Sequence, residues 1–344
     1  MDGALSAYLR SSNHNKRFIT IDLSQEKGIG LFYQLIEKSD VLLENFRASS
    51  AQKLGLSPEQ ILQRNPRMIV CSISGYGRTG PMSQTPGYDV AIQAMSGLMS
   101  ITGPIEGPPS KVGVAVTDVL TGLYAAIAIL ACLHERQRSG HGYAIDLALL
   151  DCAVASQVNV AQAFLTSGVV PPRQGNAHLQ IVPCHLFATS DGLLSLAVGN
   201  DGQYQKFCQA ADRMDLVNER FKTNPGRVQH REELIPLIEG ILREKSTGQW
   251  QSILSQAGVP HAPVQNYEEL FKHPQAESRG LRVSIRDAEG NPVDLIASPF
   301  RIDGAQLPEP LCPPTLSQHT SEVLSSVLGL SDQEIQKLKE SGAI

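Results

Sequence analysis

The chain has 344 residues, of which 42% are hydrophobic and 18% charged, with a single Trp. That composition excludes a disordered, charge-rich polymer and a disulfide-stapled mini-protein, and it leaves one large domain or two of ordinary size. Twenty-nine Lys and Arg against 34 Asp and Glu give a net charge of -5, which repels a phosphate backbone and argues against nucleic acid as a partner.

Cys71, Cys132, Cys152, Cys184, Cys208 and Cys312 form no CxxC pair and no Cys/His set at zinc spacing, so no metal is expected. They read as reduced thiols of a cytosol-like compartment. The opening MDGALSAYLR lacks a basic region followed by an apolar stretch, and the longest apolar run, Leu123 to Leu133, is too short to cross a bilayer. The expectation is a soluble cytoplasmic protein, or one of the mitochondrial matrix if its source is a eukaryote, with no membrane partner.

In chain order, RFITIDL (17–23) reads as a strand, GIGLFYQLIEKS (28–39) as a helix and DVLLENF (40–46) as a strand. Ser57-Pro58-Glu59 supplies an N-cap, a first-turn proline and an acid for a short helix to Asn65, and RMIVCSISG (67–75) is a buried strand. This alternation predicts an α/β fold, a doubly wound parallel sheet with helices on both faces. Residues 75–110 are rich in Gly, Pro, Ser and Thr around one helical segment, Tyr88 to Met99. A long helix from about Asp118 to Arg138 stops at Ser139-Gly140-His141-Gly142. YAIDLALL is the next strand, with a helix running through Phe164.

Pro171-Pro172 and Arg173-Gln174-Gly175-Asn176 read as a linker. Beyond them, CHLFATSDGLLSLAVG predicts a hairpin around Ser190-Asp191-Gly192, followed by helices near 201–211, 230–244 and 247–256, which make a smaller α+β domain. A second hairpin, RVSIRDAEGNPVDLIA, turns at Glu289-Gly290-Asn291. The proline-rich stretch 308–314 leads into two terminal helices.

P-loop, HExxH and GxGxxG patterns are absent, and Ser72-Ile73-Ser74-Gly75 lacks the glycine a serine-nucleophile elbow needs. Asp118, in KVGVAVTDVLTGLYAAIAIL, is the residue that stands out. At a helix start, backbone N–H groups and the dipole are expected to lower its pKa and hold it ionised. Read locally, two roles stay open: Asp118, or Thr117 before it, is an N-cap, or Asp118 is a carboxylate nucleophile toward an activated acyl group. His141, His261, His273 and His319 read as structural, His319 lying in the SQHT segment expected to cap the first terminal helix.

The runs NKRFITIDL, DVLLENFR, SISGYGRTGP, GYDVAIQAMSGLMSITG, VGVAVTDVLTGLYAAIAILACLHERQRSGHG and SQHTSEVL occur in the order found in the class III coenzyme A transferases, and the chain resembles that family over residues 7 to 344. QGNAHLQIVPCHLFATSDG resembles the succinate and dicarboxylate CoA transferases in particular. The resemblance implies an interlocked homodimer, with a large domain from 1–180, a small domain from 181–300 and a return to the large domain over 301–344. It implies CoA transfer from an acyl-CoA to a small, dicarboxylic acid, with CoA and acyl-CoA as substrates and no permanently bound cofactor. Asp118 falls on the family's catalytic aspartate, which passes through an aspartyl anhydride and an aspartyl-CoA thioester.

By the same resemblance Asn45, Phe46, Lys53, Tyr88 and Asp89 fall on CoA-contacting positions. The racemase branch of the family has a histidine base where this chain has Tyr88, a poor base at neutral pH, so α-methylacyl-CoA racemisation is the weaker reading. The pattern also begins after the family's usual first strand, and no run of glycines matches the mobile loop of formyl-CoA-specific members. A CoA-binding dimer without catalysis is therefore the other alternative.

Overall fold

The computed structural model describes residues 6–287, 289–304 and 309–344; Ala288 of the second hairpin and Pro308 of the proline-rich stretch lie outside the described residues. Packing divides the chain into two units. The first holds Met1–Ser96, Gly113–Val158 and Phe271–Ile344, and the second Gly97–Val112 and Asn159–Leu270. This partition differs from the expected ranges: 97–112 and 159–180 go with the second unit, and 271–300 with the first.

In the first unit, helix α1 (Ala7–Asn13) precedes RFITIDL, which forms no strand. Its backbone bonds run to irregular atoms far along the chain. The Phe18 N–H donates to His319 Nδ1 at 3.2 Å, Thr20 N–H to Thr320 Oγ1 at 3.1 Å and Asp22 N–H to the Ala343 carbonyl at 2.8 Å. A ladder needs a neighbouring strand in regular register, and side-chain acceptors do not provide one. The alternating pattern instead sets Ile21 against the cluster of Leu31, Leu324 and Ile335. His319 stands at the N-cap of the later helix, yet its ring accepts from Phe18 rather than capping.

Helix α2 (Glu26–Glu37), strand β1 (Val41–Glu44), helices α3 (Ala48–Lys53) and α4 (Pro58–Arg64) and strand β2 (Ile69–Ser74) follow. Ser57 and Gln60 close a full capping box at α4, as the Ser-Pro-Glu signal suggested. The expected helix 88–99 is two pieces, α5 (Asp89–Met95) and α6 (Leu98–Ile101), because Gly97 takes φ 89°, a left-handed conformation that ends a helix. Helix α7 (Val116–Ser139) ends at Gly140 and leads to β3 (Tyr143–Ala148). The helix expected to follow is also two, α8 (Leu149–Ser156) and α9 (Val158–Ser167), broken where Val158 has φ 30°.

Strands β1, β2 and β3 form a parallel sheet in that order, with no reversal among the described strands. Leu43 pairs with Cys71, while Glu44, Ser72 and Asp146 share a row near the C-terminal edge. The fold is mixed α/β with a parallel sheet, as expected. Ile69, Val70 and Cys71 are fully buried, which explains the apolar run that opens β2. Ile36, Leu56, Ile61 and Met68 pack with Val70 in one cluster, and Ile92, Leu149 and Ala153 pack with Ile73 in another. Each such aliphatic contributes about 1.5–3 kcal/mol relative to exposure.

The second unit carries the antiparallel sheet of β4 (Cys184–Ala188), β5 (Leu193–Ala197) and β6 (His261–Pro263). Around it lie α10 (Asp201–Ala210), α11 (Asn224–Gln229), α12 (Arg231–Leu242) and α13 (Thr247–Ala257), and the unit ends within α14 (Tyr267–Lys272). The core is built on Phe187, Leu194, Leu196, Phe207, Leu234 and Trp250. Arg227 is fully buried there, and its guanidinium donates to the Val182 and Phe221 carbonyls at 2.6 and 3.0 Å and to Asp201 at 2.9 Å. That satisfies the charge and makes it structural.

Helix α15 (Pro274–Ser278), strands β7 (Arg282–Arg286) and β8 (Pro292–Ile296) and helices α16 (Thr320–Leu328) and α17 (Asp332–Glu340) return to the first unit. Glu334 of α17 and Ser331 form a further capping box, whose hydrogen bonds hold the Glu334 carboxyl below the usual range.

Candidate active site

A cavity of about 670 Å³ opens in the first unit outside the C-terminal ends of β1 and β2, where parallel sheets place their ligand crevices. Its lining includes Asn45, Phe46, Arg47, Arg78, Tyr88 and Asp118. Two loop segments meet at its wall through a pair of glycines. A Cβ on Gly75 would lie 2.6 Å from the Gly87 Cα, so the approach exists only because neither residue has a side chain.

The turn after β1 is set by Glu44. Its carboxylate is buried and accepts from the Phe46 N–H at 2.7 Å, which folds the chain sharply and leaves Phe46 43% exposed in the cleft. Lys53 ends α3 on an exposed surface and does not line the cavity. Of the expected contact residues, the fold brings Asn45, Phe46, Tyr88 and Asp89 to Asp118 and leaves Lys53 apart.

Asp118 occupies the third position of α7, and it does not cap that helix. Ala115 is at the N-cap, and the cap is supplied by Asp89 of α5. Asp89 Oδ1 accepts from the Thr117 N–H at 2.9 Å and from Thr117 Oγ1 at 2.8 Å. The capping reading of Asp118 and of Thr117 is corrected accordingly.

The expected pKa direction is corrected as well. The Asp118 carboxyl lies above the usual carboxylate range, because the cleft walls desolvate it and, second, because Asp89 is a like charge nearby. Burial and a charge on another helix outweigh the effect of the α7 start. No hydrogen bond to the Asp118 carboxylate occurs among the described residues. Gly122, one turn further on α7, also lines the cavity and leaves room beside it.

Two cations absent from the expected contact residues also line the cavity. Arg47 follows Phe46 on the exposed rim, and Arg78 is half-buried with Nη1 donating to Ser72 Oγ at 3.1 Å. The Arg78 N–H is held by the Asp146 carboxylate at 3.1 Å. Both arginines sit in loops that leave adjacent parallel strands, a position that would have marked them had the strand order been known. The histidines make structural bonds: His261 Nδ1 donates to the Val259 carbonyl at 2.8 Å, and His273 Nδ1 accepts from the Gln275 N–H at 3.1 Å. The six cysteines are free, and no cluster of metal-ligating side chains occurs among the described residues.

Fold and cleft define an α/β protein with a single uncapped carboxylate facing a crevice flanked by arginines. Residues 2–320 match the model of CoA-transferase family III, and the chain belongs to that family. It is 36% identical over 343 residues to human succinyl-CoA:glutarate CoA-transferase, covering 99% of this chain and 78% of that one. It is 38% identical over 323 residues to the succinate–glutarate CoA-transferase of Agrobacterium fabrum, covering 94% and 81%. A crystal structure of a CaiB/BaiF family protein from Brucella suis superposes with a TM-score of 0.83 at 37% identity, covering 95% of this chain and 86% of that one. The protein is therefore an enzyme of the CoA-transferase class.

Proposed function

We propose that this enzyme moves CoA from an acyl-CoA donor to a dicarboxylic acid, with Asp118 as the nucleophile. The observation that carries the reading is the Asp118 carboxylate: uncapped, partly desolvated and open to the cleft. A carboxylate with a raised pKa is more basic, and hence more nucleophilic once ionised, than a solvated one. The dicarboxylate class is supported by the names of the human and Agrobacterium relatives. Arg47 and Arg78 provide cations in the same cleft for anionic groups.

In this reading an Asp118 oxygen attacks the thioester carbonyl carbon, the C–S bond breaks, and CoA leaves as the thiolate with an aspartyl-acyl anhydride behind. The thiolate attacks the aspartyl carbon of that anhydride, forming the aspartyl-CoA thioester and releasing the donor acid as its carboxylate. The acceptor carboxylate then attacks the same carbon and expels the thiolate, giving a second anhydride. Attack of the thiolate on the acceptor's acyl carbon yields the new thioester and restores the Asp118 carboxylate. Charge balances with no net proton change. Asn45, Phe46 and Tyr88 would flank the CoA arm, Phe46 through its open apolar face.

We also propose the interlocked homodimer, with the two units as its large and small domains. Val119, Leu123, Ile127 and Leu130 of α7 are 58%, 55%, 64% and 66% exposed, an apolar stripe of helical spacing that a second copy would cover. By length and composition α7, 24 residues long with an 18-residue window of mean hydropathy 2.0, is also apolar enough to cross a membrane. Its ends favour a protein neighbour over lipid: Thr117 is bonded to Asp89, and Arg136 pairs with Asp40 at 2.8 Å.

The test is a panel of acyl-CoA donors with mono- and dicarboxylic acids, analysed by mass spectrometry. Equal amounts of a dicarboxylyl-CoA and the donor's free acid are expected. Hydrolysis alone, or no exchange with any pair, would overturn the reading.

A further inference from the structure

Helix α7 begins without a cap of its own. Ala115, at its N-cap, has no polar side chain, so the first-turn N–H groups need an acceptor from elsewhere. Asp89 reaches in from α5, and both its oxygens are engaged. Oδ1 takes the two Thr117 donors at 2.9 and 2.8 Å, and Oδ2 takes Gln93 Nε2 at 2.7 Å. Gln93 Nε2 also approaches the Val114 carbonyl at 3.4 Å, on the segment that enters α7. Gln93 and Thr117 are fully buried, so neither can exchange Asp89 for water. All three donors to Asp89 are suited to an ionised acceptor.

An acid in the first helical turn can itself fold back onto the uncapped N–H groups. Asp118 is the acid in the first turn of α7. With Thr117 already satisfied from outside the helix, no such demand falls on it, and its carboxylate stands in the cleft wall.

We propose that Asp89 is a positioning residue for the nucleophile: it caps α7 from α5 and so keeps the Asp118 carboxylate in the cleft rather than turned back onto its own helix start. The inference rests on Asp118 being the nucleophile. A second effect follows from the same residue, because the Asp89 charge also helps to raise the Asp118 pKa. The two effects separate in two variants. Asp89→Asn keeps an acceptor oxygen for Thr117 and removes the charge, whereas Asp89→Ala removes both. The other ionisable groups lining the cavity with Asp118 are Glu44 at the end of β1, Arg47 and Arg78 in the loops after β1 and β2, and Tyr88 before α5; α8, which packs against α7, carries Asp151 and Cys152; all are left unchanged.

The test is steady-state transfer by the full chain, with a donor and acceptor pair that the parent uses, from about pH 4 to about pH 8. Asp89→Ala should lower kcat about 10- to 100-fold with the acyl-CoA KM within about twofold. Asp89→Asn should recover much of that loss and move the acid limb of kcat/KM to lower pH, since removal of a like charge lowers the Asp118 pKa. A raised acyl-CoA KM at unchanged kcat in Asp89→Ala would make Asp89 a CoA contact and overturn the inference. So would an Asp89→Asn profile superimposable on the parent's. If the parent transfers and Asp118→Ala does not, either result defeats the role of Asp89 alone. Parental turnover by Asp118→Ala would defeat the nucleophile itself.

Discussion

Replacing Gly75 by alanine should push apart the two loop walls that shape the cleft. The added Cβ would stand 2.6 Å from the Gly87 Cα and 2.9 Å from the Gly87 nitrogen, both backbone atoms that cannot rotate away. Carbon atoms in ordinary contact sit about 3.5–4.0 Å apart, so the segments must separate by about 1 Å. Forced repacking of this kind costs about 1–3 kcal/mol. A misplacement of that size beside reacting groups costs about 100-fold in rate. Gly87→Ala meets the same obstacle from the other side, with Gly75 Cα at 2.5 Å.

Both variants should therefore show a melting temperature lower by about 2–10 °C in circular dichroism and a kcat reduced at least about 10-fold. Trp250, the single Trp, is buried in the second unit, so its fluorescence maximum in buffer should match the parent's and show that the damage is local. Gly30→Ala is the control. Gly30 lies inside α2 with nothing within 4 Å of its would-be Cβ, and the substitution should stabilise by about 0.5–1 kcal/mol. Parental melting temperature and kcat in both Gly75→Ala and Gly87→Ala would refute the reasoning.

Asp118→Asn should abolish transfer and slightly raise the melting temperature at neutral pH. A folded-state pKa above the unfolded value of 3.8 means that the folded protein binds more protons there, so stability falls as pH rises through that window and the ionised carboxylate remains a cost above it. Solvent screening in the open cleft limits the gain to about 0.5 kcal/mol, and a lower melting temperature for the amide would contradict the direction. Incubation with acyl-CoA and hydroxylamine should leave a hydroxamate on Asp118; peptide mapping that finds the label on a cysteine would redirect the chemistry to a thiol. Sedimentation should show the parent as a dimer even when dilute, and Leu123→Arg, placed in the exposed stripe of α7, should impair assembly. A folded parental monomer would remove the interlocked arrangement.

Local chemistry was legible in the sequence where one stretch of chain decides the outcome. The apolar run that opens β2, the Ser57 capping box and the hairpin around Ser190-Asp191-Gly192 each carry their own reason to form. RFITIDL has a strand's alternation but no strand beside it, and nothing local announces that. Local sequence points to Thr117 and Asp118 as the cap of α7 because they stand at its start, while the true acceptor, Asp89, lies 28 positions from Thr117 and meets it only through the fold. The direction of the Asp118 pKa is hidden from local sequence for the same reason, since burial and a charge on another helix act across space. Asp118 stands out from its local sequence, but only the family resemblance favours the nucleophile over the cap. Arg47 and Arg78 lay in quoted motifs without a chemical pattern of their own.

The bonds that join Phe18, Thr20 and Asp22 to His319, Thr320 and Ala343 tie together segments about 300 residues apart. A ribosome adding about 5–20 residues per second needs about 15–60 s to travel between them. During that interval Ile21 and Leu31 have no Leu324 or Ile335 to pack against, whereas the residues of the second unit's core have all emerged by Val259. Synthesis thus favours completion of the second unit while the beginning of the chain still waits. The nascent first unit is the part that most needs shielding by chaperones, and substitutions in α16 or α17 should reduce yield in cells more than they weaken the purified enzyme.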